Sequence, residues 1–291
     1  MKLEDIIIRD PFVLPYNGKY YLYGTRSFTC WGNTANGTDV YISDDLENWS
    51  EPVEVFHKPE GFFANKCYWA PEVHIFNGKF YMFITFAVDG TDVLGTAILR
   101  SESPEGPFEP FGEDYITPKD WRSLDGTLYI DDENKPYMVF CHEWIQIEDG
   151  EICAVPLKGD LSGADGEPVT LFKASQASWI RRCDSPALPN GGLITDGPFM
   201  VKTDDNKLHM FWASFGPKGY VEAMAHSDNN DLFGTWQPDE ELLFDKDGGH
   251  GMLFKTFEGK YIFVLHTPNV LYHEHPAFFE VEYSNGSFKL K

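Results

Sequence analysis

Three aspartates of this chain share one placement. Asp10 in IIIRDPFVLPYNGKYYLYGT, Asp125 in RSLDGTLYIDDENKPYMVF and Asp196 in GGLITDGPFMV each stand directly before Gly or Pro at the start of an apolar run. Any one of them could do no more than cap a turn, the usual work of Asp in such a context. Carboxylates that meet in one pocket can do more. Burial and mutual repulsion separate their proton affinities, so that one acts as a base and another as an acid. Whether these three meet depends on the elements that carry them.

Those elements repeat. An apolar run, a turn with Asn-Gly, Glu-Gly or Asp-Asn, then Lys and an aromatic run recur as DPFVLPYNGKYYLYGT, APEVHIFNGKFYMFIT, DGTLYIDDENKPYMVFC, DGPFMVKTDDNKLHMFWA and HGMLFKTFEGKYIFVLH. Each copy reads as a β-hairpin whose turn residues supply positive φ. Four copies are followed by a second repeated element, DVYISDDLENWSEP, AILRSESPEGPFEP, ICAVPLKGDLSGADGEP and EAMAHSDNNDLFGTWQPD, which completes a four-stranded unit. No comparable stretch shows helical periodicity. The prediction is an all-β chain folded as one five-bladed β-propeller with four-stranded antiparallel blades, a single domain over residues 1–291. The insertions SFTCWGNTANGTD and SQASWIRRCDSPALPNGG read as loops on one face, where function collects.

In such a fold the first strand of each blade lines the central channel. The starts of the five first strands are Asp10, Ala70 with Glu72 close behind, Asp125, Asp196 and His250. Three carboxylates and a histidine are therefore predicted to converge on the axis. The formal charge of −23 would repel nucleic-acid phosphates and anionic membranes, which leaves a neutral or cationic partner. MKLEDIIIRDPFV does not read as a signal peptide. The five cysteines show no CxxC spacing and cannot all pair internally, which suits a reducing cytoplasm.

RDPFV around Asp10, WAPE at 69–72, SLDGTLYIDD around Asp125, DGP at Asp196 and GGHGM around His250 together resemble family 43 of the glycoside hydrolases, over essentially the whole chain. The resemblance implies a five-bladed propeller enzyme that hydrolyses α-L-arabinofuranosides or β-D-xylosides of plant-cell-wall oligosaccharides with inversion. It makes Asp10 the base, Asp125 the modulator of the acid and Asp196 the acid, and it gives His250 contact with a calcium or sodium ion. No organic cofactor is implied. Inverting hydrolysis independently needs two carboxyl groups held roughly 6.5–9.5 Å apart, which facing blades can provide.

One residue departs from the family pattern. Glu usually precedes Gly-Pro in the fourth blade, and Asp196 is one methylene shorter. Glu143 in CHEW is the alternative acid, with Glu72 and Glu222 behind it. Sugar contacts are expected from Trp69, Trp144 and Arg26, with Phe28, Trp31 and Arg182 as further candidates. The expected activity is exo-acting release of pentoses from small oligosaccharides in the cytoplasm. The alternatives are an endo-1,5-α-L-arabinanase and a propeller that binds carbohydrate without cleaving it.

Overall fold

The turns set the strands. Asn17-Gly18, Asn77-Gly78 and Asn285-Gly286 have positive φ at both positions, as a two-residue type I′ hairpin requires. They join Tyr16 to Lys19, Phe76 to Lys79 and Ser284 to Ser287. Where Ile130 pairs with Pro136, Lys202 with Leu208 and Lys255 with Tyr261, a longer loop intervenes, and its positive φ falls on Asn134, Asn206 and Gly259.

A computed structural model of the chain describes residues 1–31, 34–112 and 114–291. Five four-stranded antiparallel sheets follow one another along it. Blade 1 is β1 (Ile8–Tyr16), β2 (Lys19–Arg26), β3 (Gly37–Ser43) and β4 (Val53–His57). Blade 2 is β5 (Lys66–Phe76), β6 (Lys79–Ala87), β7 (Leu94–Ser101) and β8 (Glu109–Phe111). Blade 3 is β9 (Ser123–Ile130), β10 (Pro136–His142), β11 (Glu151–Pro156) and β12 (Val169–Lys173). A separate hairpin of β13 (Cys183–Ser185) and β14 (Leu188–Gly192) occupies the insertion that the sequence reads as a loop. Blade 4 is β15 (Asp196–Lys202), β16 (Leu208–Gly216), β17 (Gly219–Ser227) and β18 (Trp236–Pro238). Blade 5 is β19 (Gly249–Lys255), β20 (Tyr261–Thr267), β21 (His275–Ser284) and β22 (Ser287–Leu290). β21 and β22 supply the outer pair that the sequence repeat lacks in its fifth copy.

First strands contact one another from blade to blade, and β19 returns to β1, so the sheets form a closed five-bladed propeller. Its second strands are covered on both faces by neighbouring blades. This is why KYYLYGTR, KFYMFITFA and LHMFWASFG run apolar without alternation. Between blades 3 and 4 Val139, Cys141 and Ile152 share a cluster with Met210, Trp212 and Val221. Between blades 4 and 5 Phe211 and Met224 share one with Leu253 and Phe263. Among the described residues no helix is long and apolar enough to cross a membrane. Among the described residues the α-helical pieces are the single turns α1 (Ser27–Cys30) and α2 (Trp144–Ile147), and Gly32 and Asn33 of the first inserted loop lie outside the described residues.

Each first strand carries a bulge at its channel end. Its first residue has φ of 52° at Asp10, 46° at Ala70, 56° at Asp125, 53° at Gly197 and 53° at His250. A bulge bends the strand and re-aims the side chain, here toward the axis. The amides freed by these bulges are taken up by the preceding blade. Ala70 N–H donates to Thr25 Oγ1 (2.8 Å), Asp125 N–H to Thr85 Oγ1 (2.9 Å), Gly197 N–H to Asp125 Oδ2 (3.1 Å) and Gly251 N–H to Glu222 Oε2 (3.1 Å). Asp10 N–H donates to His266 Nδ1 (3.2 Å), and this last link closes the ring from blade 5 to blade 1.

Glu222 is the unusual member of that ring. It is fully buried, its Oε1 has no partner, and burial raises its carboxyl well above the ordinary range. The folded chain then keeps a proton that the unfolded chain releases near pH 4.3, so this group subtracts stability progressively as pH rises from there. Glu222→Gln is expected to keep the link to Gly251 and to match or exceed the wild-type Tm at pH 8. Glu222→Leu strands the Gly251 amide and is expected to cost about 1–3 kcal/mol. Thermal unfolding at pH 5 and pH 8 checks this; a glutamine variant less stable at pH 8 would mean that Glu222 is charged.

Candidate active site

At the channel end where the bulges converge lies a cavity of about 380 Å³. Asp10, Asp125, Asp196, Glu143, Trp69, Trp144 and His250 all line it. Arg26 does not. Its Nε and Nη2 bond Asp39 at 2.6 and 2.5 Å and Nη2 also bonds Glu54 at 2.8 Å, so carboxylates of β3 and β4 hold it away. The guanidinium on the cavity wall is that of Arg9. Arg182 is likewise engaged elsewhere, by the carbonyls of Asn190 and Gly191. Trp31 does line the cavity and meets Trp69 edge-on at 5.0 Å, whereas Phe28 stacks on Tyr272. Glu72 is buried against His74, and Glu222 is committed to the ring of amides.

Asp196 is offset from the position the repeats assign to it. It pairs regularly with Ala213, and the bulge begins one residue later. It therefore matches Arg9, Trp69, Leu124 and Gly249 rather than Asp10, Asp125 and His250. The reason is steric. At Gly197 a Cβ would sit 2.7 Å from the imidazole of His250, on a backbone already at positive φ, so only glycine fits the bulge. The carboxylate moves to the preceding residue and still reaches the cavity, where its Oδ2 accepts from the Tyr220 hydroxyl at 3.0 Å.

The three aspartates differ in proton affinity. Around Asp10, His250 Nδ1 lies 3.3 Å and His266 Nδ1 3.6 Å from Oδ1, and Thr25 donates to Oδ2 at 2.6 Å. Burial pushes the Asp10 carboxyl up, but His250, Arg9 and the Thr25 bond outweigh it and hold the group below its ordinary value. For Asp125 burial wins, aided by the charges of Asp196 and Asp10 against His250, and carries it up to about 7. Burial likewise carries Asp196 up to about 6, tempered by His250 and the Tyr220 phenol. The charge of Asp196 bears on Asp125, so the titrations of these two are linked. Burial alone would lower His250, yet Asp10, Asp125 and Asp196 raise it to about 9, so it is an imidazolium at neutral pH. His266 goes the other way, to about 3, through burial and the charge of Arg9, and as a neutral ring it can accept the Asp10 amide.

Two expectations turn on the partners these groups already have. Glu143 accepts a hydrogen bond from Arg122 Nε and forms an ion pair with it, whereas the partner of Asp196 is a neutral phenol. The Glu143 carboxylate is thus held in an ion pair, whereas the hydrogen-bond donor to Asp196 carries no charge. For calcium or sodium, six or more oxygen ligands are the rule for the former. His250 Nδ1 is turned to Asp10 and Asp125, and among the described residues no group of three or more His, Cys, Asp or Glu side chains is disposed to hold a metal. These side chains alone make no cation cage, and an ion beside His250 would be held largely through water.

Several site residues escaped the sequence reading. Arg9, Tyr220, His266 and the threonines that serve the ring carry no motif of their own. A signal did exist for three of them, because Thr25 and Thr85 occupy one place in YYLYGT and FYMFIT, and His266 is their equivalent in the fifth blade. Glu274 lies outside every repeat. It is fully buried and accepts from Arg9 Nη1 at 2.9 Å and from the Ser27 hydroxyl at 2.8 Å.

The family model described as Glycosyl hydrolases family 43 matches residues 6–288. A xylosidase/arabinosidase 43A from Humicola insolens is 29% identical over 153 residues, 49% of this chain and 46% of that protein. An extracellular endo-α-(1→5)-L-arabinanase 1 from Bacillus subtilis (strain 168) is 24% identical over 151 residues, 49% of this chain and 45% of that protein. The matched segments thus span about half the length of these relatives. A solved endo-arabinase from Bacteroides thetaiotaomicron VPI-5482 superposes with a TM-score of 0.92 at 37% identity, covering 99% of each chain.

Proposed function

The chain belongs to family 43 of the glycosyl hydrolases, and we propose that it cleaves α-L-arabinofuranosides or β-D-xylosides of small neutral oligosaccharides with inversion at the anomeric carbon. The observation that carries this reading is the split in proton affinity around one cavity, with Asp10 held low and Asp196 raised. Asp10 takes a proton from a water as that water's oxygen bonds to the anomeric carbon. The bond from that carbon to the glycosidic oxygen breaks, and Asp196 gives its proton to the departing oxygen. The imidazolium of His250 orients Asp10, and Asp125 with its raised proton affinity helps to keep the site from losing the proton that Asp196 must donate.

Exo attack is favoured by the wall between blades 1 and 5. Ser27 and Arg9 converge on Glu274, Tyr272 N–H donates to Ser27 Oγ at 3.1 Å, and Phe28 stacks on Tyr272. These contacts pin the loop before β21 against α1 on that side of the site. A cytoplasmic location accords with all five cysteines being free thiols. A second reading, an endo-arabinanase, is favoured by the 37% identical endo-arabinase. Product analysis on linear arabinan, alongside aryl pentosides, separates them. Monosaccharide as the first product is expected, and early internal oligomers would move the assignment to the endo class. No turnover even of an activated aryl pentoside would leave only carbohydrate binding.

A further inference from the structure

We propose that a second cavity, beside the first and beyond the Arg122–Glu143 pair, binds the leaving-group end of the oligosaccharide; this rests on the hydrolase reading above. The second cavity measures about 500 Å³ and is framed by Val93, Asp120, Trp121, Arg122, Ile145 and Ala187. It adjoins the first directly. Ile145 lines both, and Arg122, on the wall of the second, forms an ion pair with Glu143 on the wall of the first. A chain with one end among the aspartates has this cavity next along its path.

The cavity is built for a neutral, polyhydroxylated ligand. Trp121 stacks on His142 at 4.0 Å and 7°, which takes one face of the indole and leaves the other face or the edge to line the cavity. Flat, rigid aromatic surface suits the C–H face of a sugar ring and is already ordered before binding. Gln146 fixes the segment that carries this ring. Its Oε1 accepts from Arg122 N–H at 2.7 Å and lies 3.0 Å from His142 Nε2, and its Nε2 donates to the Asp120 carbonyl at 2.9 Å. In a chain of charge −23 the cavity carries both signs, with Asp92 and Asp120 beside Lys119 and an Arg122 whose charge Glu143 already offsets. It therefore selects for hydroxyls rather than for charge, and these four side chains supply both donors and acceptors.

Ala187 is an exposed turn residue at the lip of this cavity, so a large side chain there obstructs entry without disturbing a blade. The expected result for Ala187→Trp is kcat/KM on an aryl pentoside within about twofold of wild type, because that substrate has no sugar beyond the cleaved bond. On α-1,5-arabinotetraose or β-1,4-xylotetraose kcat/KM is expected to fall by about tenfold or more, the loss expected for one sugar contact worth about 1.4 kcal/mol. Equal kcat/KM for wild type and variant on both tetraoses would overturn the proposal. Calorimetric titration of Asp10→Asn with the same tetraoses, with and without Ala187→Trp, decides the point independently of turnover. Weakened binding supports the second cavity, and unchanged or undetectable binding overturns it. Failure of wild type to cleave the aryl pentoside would sink the hydrolase reading alone.

Discussion

Asp10→Asn is expected to lower kcat/KM on every pentoside by about 10³- to 10⁴-fold, whatever the leaving group. A positioned general base contributes about 10²–10⁴, and this one sits where no neighbour can stand in. Asp125 and Asp196 hold their protons too tightly, at about 7 and about 6, while Asp10 is kept ionised by His250 and Arg9. Asparagine keeps the size of the side chain and an acceptor for Thr25, so the loss reports the missing base rather than a collapsed site. Azide, an anionic nucleophile that needs no base, is expected to restore turnover of an aryl glycoside in Asp10→Ala, forming the glycosyl azide of inverted configuration. Retention of even a tenth of wild-type activity in Asp10→Asn would remove Asp10 from the mechanism.

Asp196→Ala is expected to discriminate between leaving groups. Arabinosides or xylosides of sugars need a proton on the departing oxygen and should slow by about 10²–10⁴-fold, whereas activated aryl pentosides, which leave as stable phenolates, should change little. The pH profile carries the same signature. The acid works protonated, so kcat/KM is expected to fall as pH rises through about 6–7, the range set by the coupled Asp196 and Asp125. That alkaline limb should fade on activated substrates in Asp196→Ala. Glu143→Ala is the control, because Glu143 lines the same cavity. If Glu143→Ala shows the leaving-group dependence and Asp196→Ala does not, the acid is Glu143 and its pair with Arg122 must open during turnover.

Fold and site were not equally legible in the sequence. The hairpins declare themselves because a two-residue turn demands Asn-Gly, and because second strands buried on both faces must be apolar throughout. Convergence of Asp10, Asp125 and His250 followed from the same repeats, since each occupies the first position of a bulge. Asp196 was misplaced by one residue because the repeats align on Gly-Pro and Gly-Thr, whereas the bulge depends on which residue can sit against His250. Arg26 was misread because it ends a strand beside the channel, and nothing local announces that Asp39 and Glu54 will claim it. Tyr220 reaches Asp196 from two strands away in the same blade, and Glu274 reaches Arg9 across the seam between blades 5 and 1; pairings between strands so distant in sequence leave no short-range pattern.

The way the ring closes also orders events during synthesis. Blade 5 is made of four consecutive strands, so no early strand is held in reserve to complete it, and its bond to blade 1 is made by side chains such as His266 and Glu274. Asp10, Asp125 and Asp196 all emerge from the ribosome before residue 249, but His250, His266 and Glu274, which set the charge and aim of Asp10, come after it. A nascent chain with four blades finished holds all three aspartates of the cavity and still lacks the residues that aim the first of them.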